Sequence, residues 1–171
     1  MTEAVPDPNA ERAQALGRRC ISMMVAQALY GLPLEDVQEV IGMRSLTRVF
    51  HAPPAVAGVT SLRGEVLPVI DLGVLLGRAS GEVGEAARIV VVREKGGLKR
   101  WAGLRVDELG PLREVPAEGL STPPTTLSDA AQELVVGVIS EAPPCSVLRL
   151  SSILASPLLA GVAAGKLERE T

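Results

Sequence analysis

Aromatic side chains are almost missing: the 171 residues hold one Tyr, one Phe and one Trp, at Tyr30, Phe50 and Trp101. That excludes the stacking platforms on which single-stranded bases lie. Positive charge is not in surplus either. Lys and Arg number 17 against 20 Asp and Glu, a formal net charge of −3, which is the reverse of the field a nucleic-acid surface needs. His51 is the single histidine, and Cys20 and Cys145 lack CxxC spacing, so the usual donors of a structural zinc site are not present. Each cysteine reads as a small buried side chain. No run approaches the roughly 20 apolar residues that span a bilayer. The start, with Glu3, Asp7 and Glu11 and no apolar stretch, is not a secretory signal. The chain is therefore expected to be soluble and cytoplasmic, with no cofactor, no metal, no nucleic-acid partner and no direct membrane insertion.

What is present is a globular composition, 47% hydrophobic and 22% charged, of a size for one domain or two small halves sharing a core. Residues 1–17 read as a flexible lead-in, 18–157 as the folded domain, and 158–171 as a tail with a short helix. From Cys20 onward, short Val- and Ile-rich runs are punctuated every 8–12 residues or so, the signature of an all-β barrel or sandwich. Gly96-Gly97, between Ile89-Val-Val-Val92 and Trp101-Ala-Gly-Leu104, predicts a hairpin. Pro116 to Asp129 reads as a surface loop. Asp71-Leu-Gly-Val-Leu-Leu-Gly77 predicts a helical turn capped by Asp71 and ended by Gly77, and Ser151 to Ser156 predicts another. Met24 to Leu29 offers no Gly, Asn or Asp, so the first hairpin is expected to be longer or differently formed. Pro143-Pro144 predicts that the following strand is shortened or lies at an edge.

The two halves repeat. Val56-Ala-Gly-Val-Thr-Ser61 matches Val135-Val-Gly-Val-Ile-Ser140, Val69 to Leu76 matches Val147 to Leu154, and Gly31 to Val37 matches Gly103 to Leu109. Each half thus runs through a Gly-Leu strand ending in an acidic pair, an apolar-Gly-Val strand, and an apolar strand with a terminal turn. Two similar small β-barrels packed together account for this order. The paired acids Glu35-Asp36 and Asp107-Glu108, repeated at the start of a turn, read as caps rather than as acid–base machinery. Ser61, His51 and Asp71 come without a G-x-S-x-G elbow, and Gly77 to Gly81 lacks the setting and lysine of a phosphate loop. Catalysis is not indicated. The halves differ at one point: Leu62-Arg63-Gly64-Glu65 in the first stands where Glu141-Ala-Pro-Pro-Cys145 stands in the second.

Taken in order, Tyr30-Gly-Leu-Pro-Leu-Glu-Asp-Val-Gln-Glu-Val40, Ser45-Leu-Thr-Arg-Val49, Ala52-Pro-Pro54, Val56-Ala-Gly-Val-Thr-Ser-Leu-Arg-Gly64 and Val66-Leu-Pro-Val-Ile-Asp-Leu72 resemble the CheW family. These are small adaptors of bacterial chemosensory arrays, and the likeness covers residues from about 20 to about 156. Ser61 replaces the Asn of the family's G-V-x-N-L-R-G signature. The resemblance implies two SH3-like five-stranded β-barrel subdomains with short helical turns. It also implies a non-catalytic adaptor that links chemoreceptor cytoplasmic tips to the regulatory domain of the histidine kinase CheA, with weak self-association. The alternative is a specialised CheW-like scaffold of a gliding, pilus or other chemosensory pathway that binds receptors or other array components without ordinary CheA binding.

Arg63, on a tight turn made flexible by Gly64, has two compatible roles: a forked contact to a partner, or an internal bridge to Glu65, Glu39 or Asp71. Gly58, on the strand before the turn and beside the binding surface, reads as a place of close backbone approach or of an unusual dihedral. Val37 and Glu39 match the family's V-x-E step and, by alternation along a strand, are expected to face the same way; burial of Val37 in the barrel is the other reading. Leu104, Val106 and Leu109 are expected at an exposed barrel end, as apolar surface for array building.

Overall fold

The computed structural model describes residues 19–79, 81–95, 100–116 and 118–159. The lead-in at 1–17, the hairpin tip at Gly96-Gly97 and nearly all of the predicted C-terminal helix lie outside the described residues. Ten strands form two five-stranded sheets. The first contains β1 (Arg19–Val25), β2 (Ala28–Pro33), β8 (Glu108–Glu114), β9 (Val135–Ile139) and β10 (Cys145–Leu148), in the order β8-β1-β2-β10-β9. The second contains β3 (Val37–Gly42), β4 (Val56–Leu62), β5 (Glu65–Asp71), β6 (Arg88–Arg93) and β7 (Trp101–Val106), in the order β3-β6-β7-β5-β4. Short helices α1 (Leu72–Leu75), α2 (Asp129–Leu134) and α3 (Leu150–Leu154) follow or precede strands.

Both sheets obey one pattern. An antiparallel hairpin (β1–β2, β6–β7) pairs on one side with the strand that follows the other hairpin, and on the other side in parallel with a second hairpin (β9–β10, β4–β5). The chain changes sheet right after β2 and after β7. At the first crossing stands the 3-10 turn Leu34–Asp36; at the second stands Asp107. The repeated acidic pairs therefore mark the crossovers, not helix caps. Each sheet is built from both halves of the repeat.

The sheets are curled but not closed by a continuous ladder. Each wraps a small core of its own: Leu62, Leu67, Val69, Ile89 and Val91 in the second sheet, and Cys20, Val136, Ile139, Cys145 and Val147 in the first. Their outer faces and the helices meet in a larger shared core that includes Met23, Tyr30, Leu32, Ile70, Leu72, Val90, Val92, Leu104 and Leu148. This explains the unbroken run Ile89-Val-Val-Val92, where successive residues serve the two cores in turn and no face is left for water. It also relocates Leu104 and Val106. They lie on β7, the middle strand of its sheet, with 0% and 1% of their surface exposed, so they cannot form an exposed barrel end. Leu109, on the edge strand β8, is half-buried and packs onto the shared core.

Gaps between sheet edges are spanned by side chains. In the first sheet, Arg113 on β8 donates to the carbonyls of Pro143 (2.8 Å) and Glu141 (2.9 Å) in the β9–β10 loop. Pro143 and Pro144 lie in that loop, so β10 is short, at four residues, yet interior. The β1–β2 hairpin corrects its expectation too. It is a two-residue turn, Val25 pairing with Ala28, in which Ala26 (φ 48°) and Gln27 (φ 67°) take the left-handed region. The second crossover holds it there: Ala26 N–H donates to Asp107 Oδ2 (2.8 Å), and Asp107 N–H donates to the Met24 carbonyl (3.0 Å).

Of the helical turns, α1 is capped as predicted, Asp71 Oδ1 accepting from Val74 N–H at 3.2 Å, with Gly77 at φ 80° beyond its end. A second oxygen of Asp71 pairs with Arg105 on the adjacent strand β7. The α2 helix, at the end of what reads in sequence as loop, is capped by Ser128, which accepts from Ala131 N–H.

Two predictions follow from the paired small cores. A Cβ on Gly103 would lie 2.5 Å from Ile89 Cγ2, a rigid β-branched atom, whereas on Gly31 it would meet Cys145 Sγ at 3.1 Å. Gly103→Ala is expected to destabilise by about 1–3 kcal/mol and Gly31→Ala by less, read from urea unfolding midpoints. Burial, the largest cause, pushes the Cys20 thiol up to about 12 and that of Cys145 up to about 11. Neither forms a thiolate near neutral pH. Both should resist a colorimetric thiol reagent at pH 8 in the native protein and react fully in denaturant; rapid native labelling would contradict the burial.

Candidate functional site

The site begins with a turn. Leu62 pairs with Glu65, leaving Arg63 and Gly64 as the two loop residues of the β4–β5 hairpin, at φ 50° and φ 80°. Positive φ at both positions is the type I′ condition that matches the twist of the flanking strands. A Cβ on Gly64 would meet nothing within 4 Å, so glycine is there for its dihedral and not for space. Arg63 takes the left-handed region without being Gly, Asn or Asp, and so carries local strain at an exposed tip.

Its guanidinium is forked onto Glu39: Nη1 to Oε1 at 2.5 Å and Nη2 to Oε2 at 3.0 Å. Glu39 lies on β3, one edge of the sheet, whereas the turn belongs to the hairpin at the other edge. The pair therefore spans the opening of the curled sheet, as Arg113 does in the first sheet. Of the bridges open to Arg63 from sequence, the one to Glu39 is made. The Arg63 side chain still keeps 67% of its surface in water against 24% for Glu39. A planar cation is thus held at a fixed place on a side chain that is mostly exposed.

Around this pair the surface is polar and ordered. Arg93, at the end of β6, donates through Nε to Gln38 Oε1 (3.0 Å) and reaches Glu65 at 3.9 Å. Its guanidinium carbon sits 4.7 Å from the centre of the Trp101 ring. Arg44 donates to the Ser61 carbonyl at 3.0 Å. Sequence reasoning missed Arg93, Gln38 and Arg44; the available signal was Arg93 closing an apolar strand beside Trp101.

The other candidates take different places. Gly58 sits at φ 152°, and a Cβ there would lie 2.7 Å from the Thr47 carbonyl oxygen. The close approach is made by the chain's own segment, with Thr47 and Val59 exchanging two backbone hydrogen bonds of 2.8 and 2.9 Å. Gly137 repeats this in the first sheet, where Leu120 and Ser121 cross it and Ser121 pairs with Val138. Val37 is half-buried against the shared core, while Glu39 turns to Arg63. The register slips between them, Val37 opposing Val92 and Glu39 opposing Val91, so the expected alternation is broken by a bulge. Arg63, Gly64 and Glu39 are brought together; Leu104, Val106 and Leu109 are not part of this surface.

Chemically the arrangement offers charge-assisted hydrogen bonds on a preorganised frame. Asp71 is engaged by Arg105 and the α1 N-terminus, and His51 lies exposed in the loop between β3 and β4. Among the described residues no group of three or more His, Cys, Asp and Glu is placed to hold a metal, and no helix is long and apolar enough to cross a membrane.

Comparison with known proteins agrees with this geometry. The model of the CheW-like domain matches residues 19–157. The chain is 31% identical to the chemotaxis protein CheW of Rhizobium meliloti (strain 1021), over 72% of this chain and 78% of that protein. It is 36% identical to protein FrzA of Myxococcus xanthus, over 64% of this chain and 66% of that one. The crystal structure of the scaffolding protein TtCheW from Thermoanaerobacter tengcongensis superposes with a TM-score of 0.71 at 26% identity, covering 82% of this chain and 94% of that one. Two mostly β sheets of five strands, sharing a core and bearing a Leu-Arg-Gly turn at one rim, belong to a chemosensory scaffold: the chain is a member of the CheW family.

Proposed function

We propose that this chain is a non-catalytic adaptor that couples chemoreceptor cytoplasmic tips to the regulatory domain of CheA, recruited to signalling arrays on the cytoplasmic side. The observation that carries the reading is Arg63, its guanidinium anchored by Glu39 and its side chain two-thirds exposed on a strained tip. A charge held this way loses little side-chain entropy on meeting a partner carboxylate or carbonyl. The turn in the equivalent place of the repeat carries prolines and has its carbonyls taken by Arg113, so it presents no such cation. The receptor contact is assigned to Arg63, Gly64 and Glu39, with Gly58 and Val37 shaping the surface from beneath. Weak self-association is part of the same reading, because edge strands β3 and β8 each leave one side unpaired.

A second reading is a specialised scaffold that joins an array without ordinary CheA binding. Relatives named FrzA and PilI stand beside those named CheW, PilI of Pseudomonas aeruginosa being 30% identical over 66% of this chain. The proline-bearing β9–β10 loop is the local feature that favours it.

Titration calorimetry against a receptor tip fragment and against the CheA regulatory domain separates these readings. Binding to both supports the coupling adaptor, binding to the tip alone supports the specialised scaffold, and binding to neither overturns both. Arg63→Ala should weaken tip binding about tenfold or more while lowering Tm by less than about 4 °C. Glu39→Gln frees the cation without removing it. If Arg63 acts only as an edge brace, the two variants will lose stability alike and neither will change affinity.

A further inference from the structure

From Val40 through Gly64 the chain contains no acidic residue, although 20 Asp and Glu are spread over the 171 positions. Arg44, Arg48 and Arg63 fall in this stretch. The segment before β4 is tied down along that strand. Thr47 exchanges its two backbone hydrogen bonds with Val59, Leu46 packs against the small core of the second sheet, and Arg44 reaches the Ser61 carbonyl beside the Arg63 turn. Antiparallel pairing at Thr47 and Val59 runs the segment back from the turn, with Arg44 near the tip and Arg48 and Phe50 toward the start of β4.

Phe50 is 82% exposed, the most exposed large apolar side chain among the described residues. The chain has no other Phe. The backbone reverses directly after it, with His51 at φ 59° and the Ala52 N–H donating to the Val49 carbonyl at 3.4 Å. Arg48 is exposed and has no hydrogen bond or ion pair among the described residues. The counterpart segment in the first sheet shows that this chemistry is not needed for the fold. Leu120 and Ser121 cross Gly137 in the same manner, and their neighbours Glu118, Gly119 and Thr122 include neither a cation nor an aromatic ring.

We propose that the strap from Arg44 to Phe50, continuous with Arg63, is a docking surface for an acidic, amphipathic segment of the receptor tip. Phe50 enters an apolar gap in that segment while Arg44 and Arg48 face its carboxylates. The proposal rests on the receptor-binding reading above and extends its site from one turn to a basic rim with an aromatic knob. Aromatic and arginine side chains are the usual energetic centres of protein interfaces. With no acid between Val40 and Gly64 to pair with Arg44 or Arg48 along the strap, and Glu39 already engaged by Arg63, a negatively charged partner surface is favoured and encounter with it is faster.

Calorimetric titration of a receptor tip fragment against the full chain and its Phe50→Ala, Arg48→Glu and Arg63→Ala variants tests it, with the CheA regulatory domain as second titrant. Phe50→Ala and Arg48→Glu are each expected to weaken tip binding about tenfold or more. Affinity for the regulatory domain and the circular dichroism spectrum should stay unchanged, and Phe50→Tyr should retain most tip binding. The deficit of Arg48→Glu should shrink between about 50 mM and about 500 mM salt. If the wild type binds the tip and Arg63→Ala weakens it, but the Phe50 and Arg48 variants bind normally, the extended surface is overturned and the receptor reading stands. If the wild type does not bind the tip, both fall. Loss of regulatory-domain affinity or of self-association in Phe50→Ala, with tip binding intact, also overturns the proposal.

Discussion

Everything in this molecule depends on the exchange of strands between its two sheets. A hairpin from one end of the chain can complete its sheet only with the three strands that follow the other hairpin. Neither half of the repeat holds a full sheet, so neither can bury its own small core. The parallel pairings β2 with β10 and β5 with β7 join segments far apart in sequence, and each is an interior seam that joins the two antiparallel hairpins of its sheet. Loop-closure entropy must be met before those seams form, which ties the small cores and the shared core into one cooperative unit. The crossovers are correspondingly well anchored, as Asp107 shows by fixing the left-handed turn at Ala26 and Gln27.

The exchange also sets where a partner can be met. Strands buried on both faces have nothing to offer at a surface, and β6 and β7 are of that kind. What remains is the rims: two-residue turns, the loops crossing β4 and β9, and the open sides of β3 and β8. At both outer hairpins a preceding segment lies over a glycine and pairs once with the edge strand, at Thr47 with Val59 and at Ser121 with Val138. That single bridge interrupts an edge that would otherwise template strand addition. On β8 the same end is served by Pro111, which has no N–H to give and whose carbonyl accepts from the buried Ser22 hydroxyl at 2.5 Å.

Legibility in the sequence followed the range of the cause. The Arg63 turn could be read because a type I′ loop is a two-residue event with a local signature, and the α1 cap because Asp71 and Gly77 act within one turn of helix. The repeat was visible at the glycines and acidic pairs, which are fixed by close approaches and crossovers. The Ala26-Gln27 turn was not visible, since the group that holds it is Asp107, some eighty positions away. Leu104 and Val106 were misplaced for a related reason. Periodicity cannot separate a central strand from an exposed apolar end, and only strand order shows that β7 has neighbours on both sides. The bulge between Val37 and Glu39 likewise depends on register against β6 and leaves no mark in composition.

The asymmetry between equivalent rims follows from the same frame. The two sheets match, each having a turn, a strap and an edge-spanning contact. Arg113 makes this contact from a strand toward loop carbonyls, so its charge is directed inward onto the protein's own backbone. Arg63 makes it from the turn toward a strand carboxylate, so its charge stays at the outermost point of the hairpin. Which side supplies the guanidinium decides what the rim shows to solvent. One half thus leaves a cation at its outer rim while its counterpart closes on its own backbone, within a single repeated architecture.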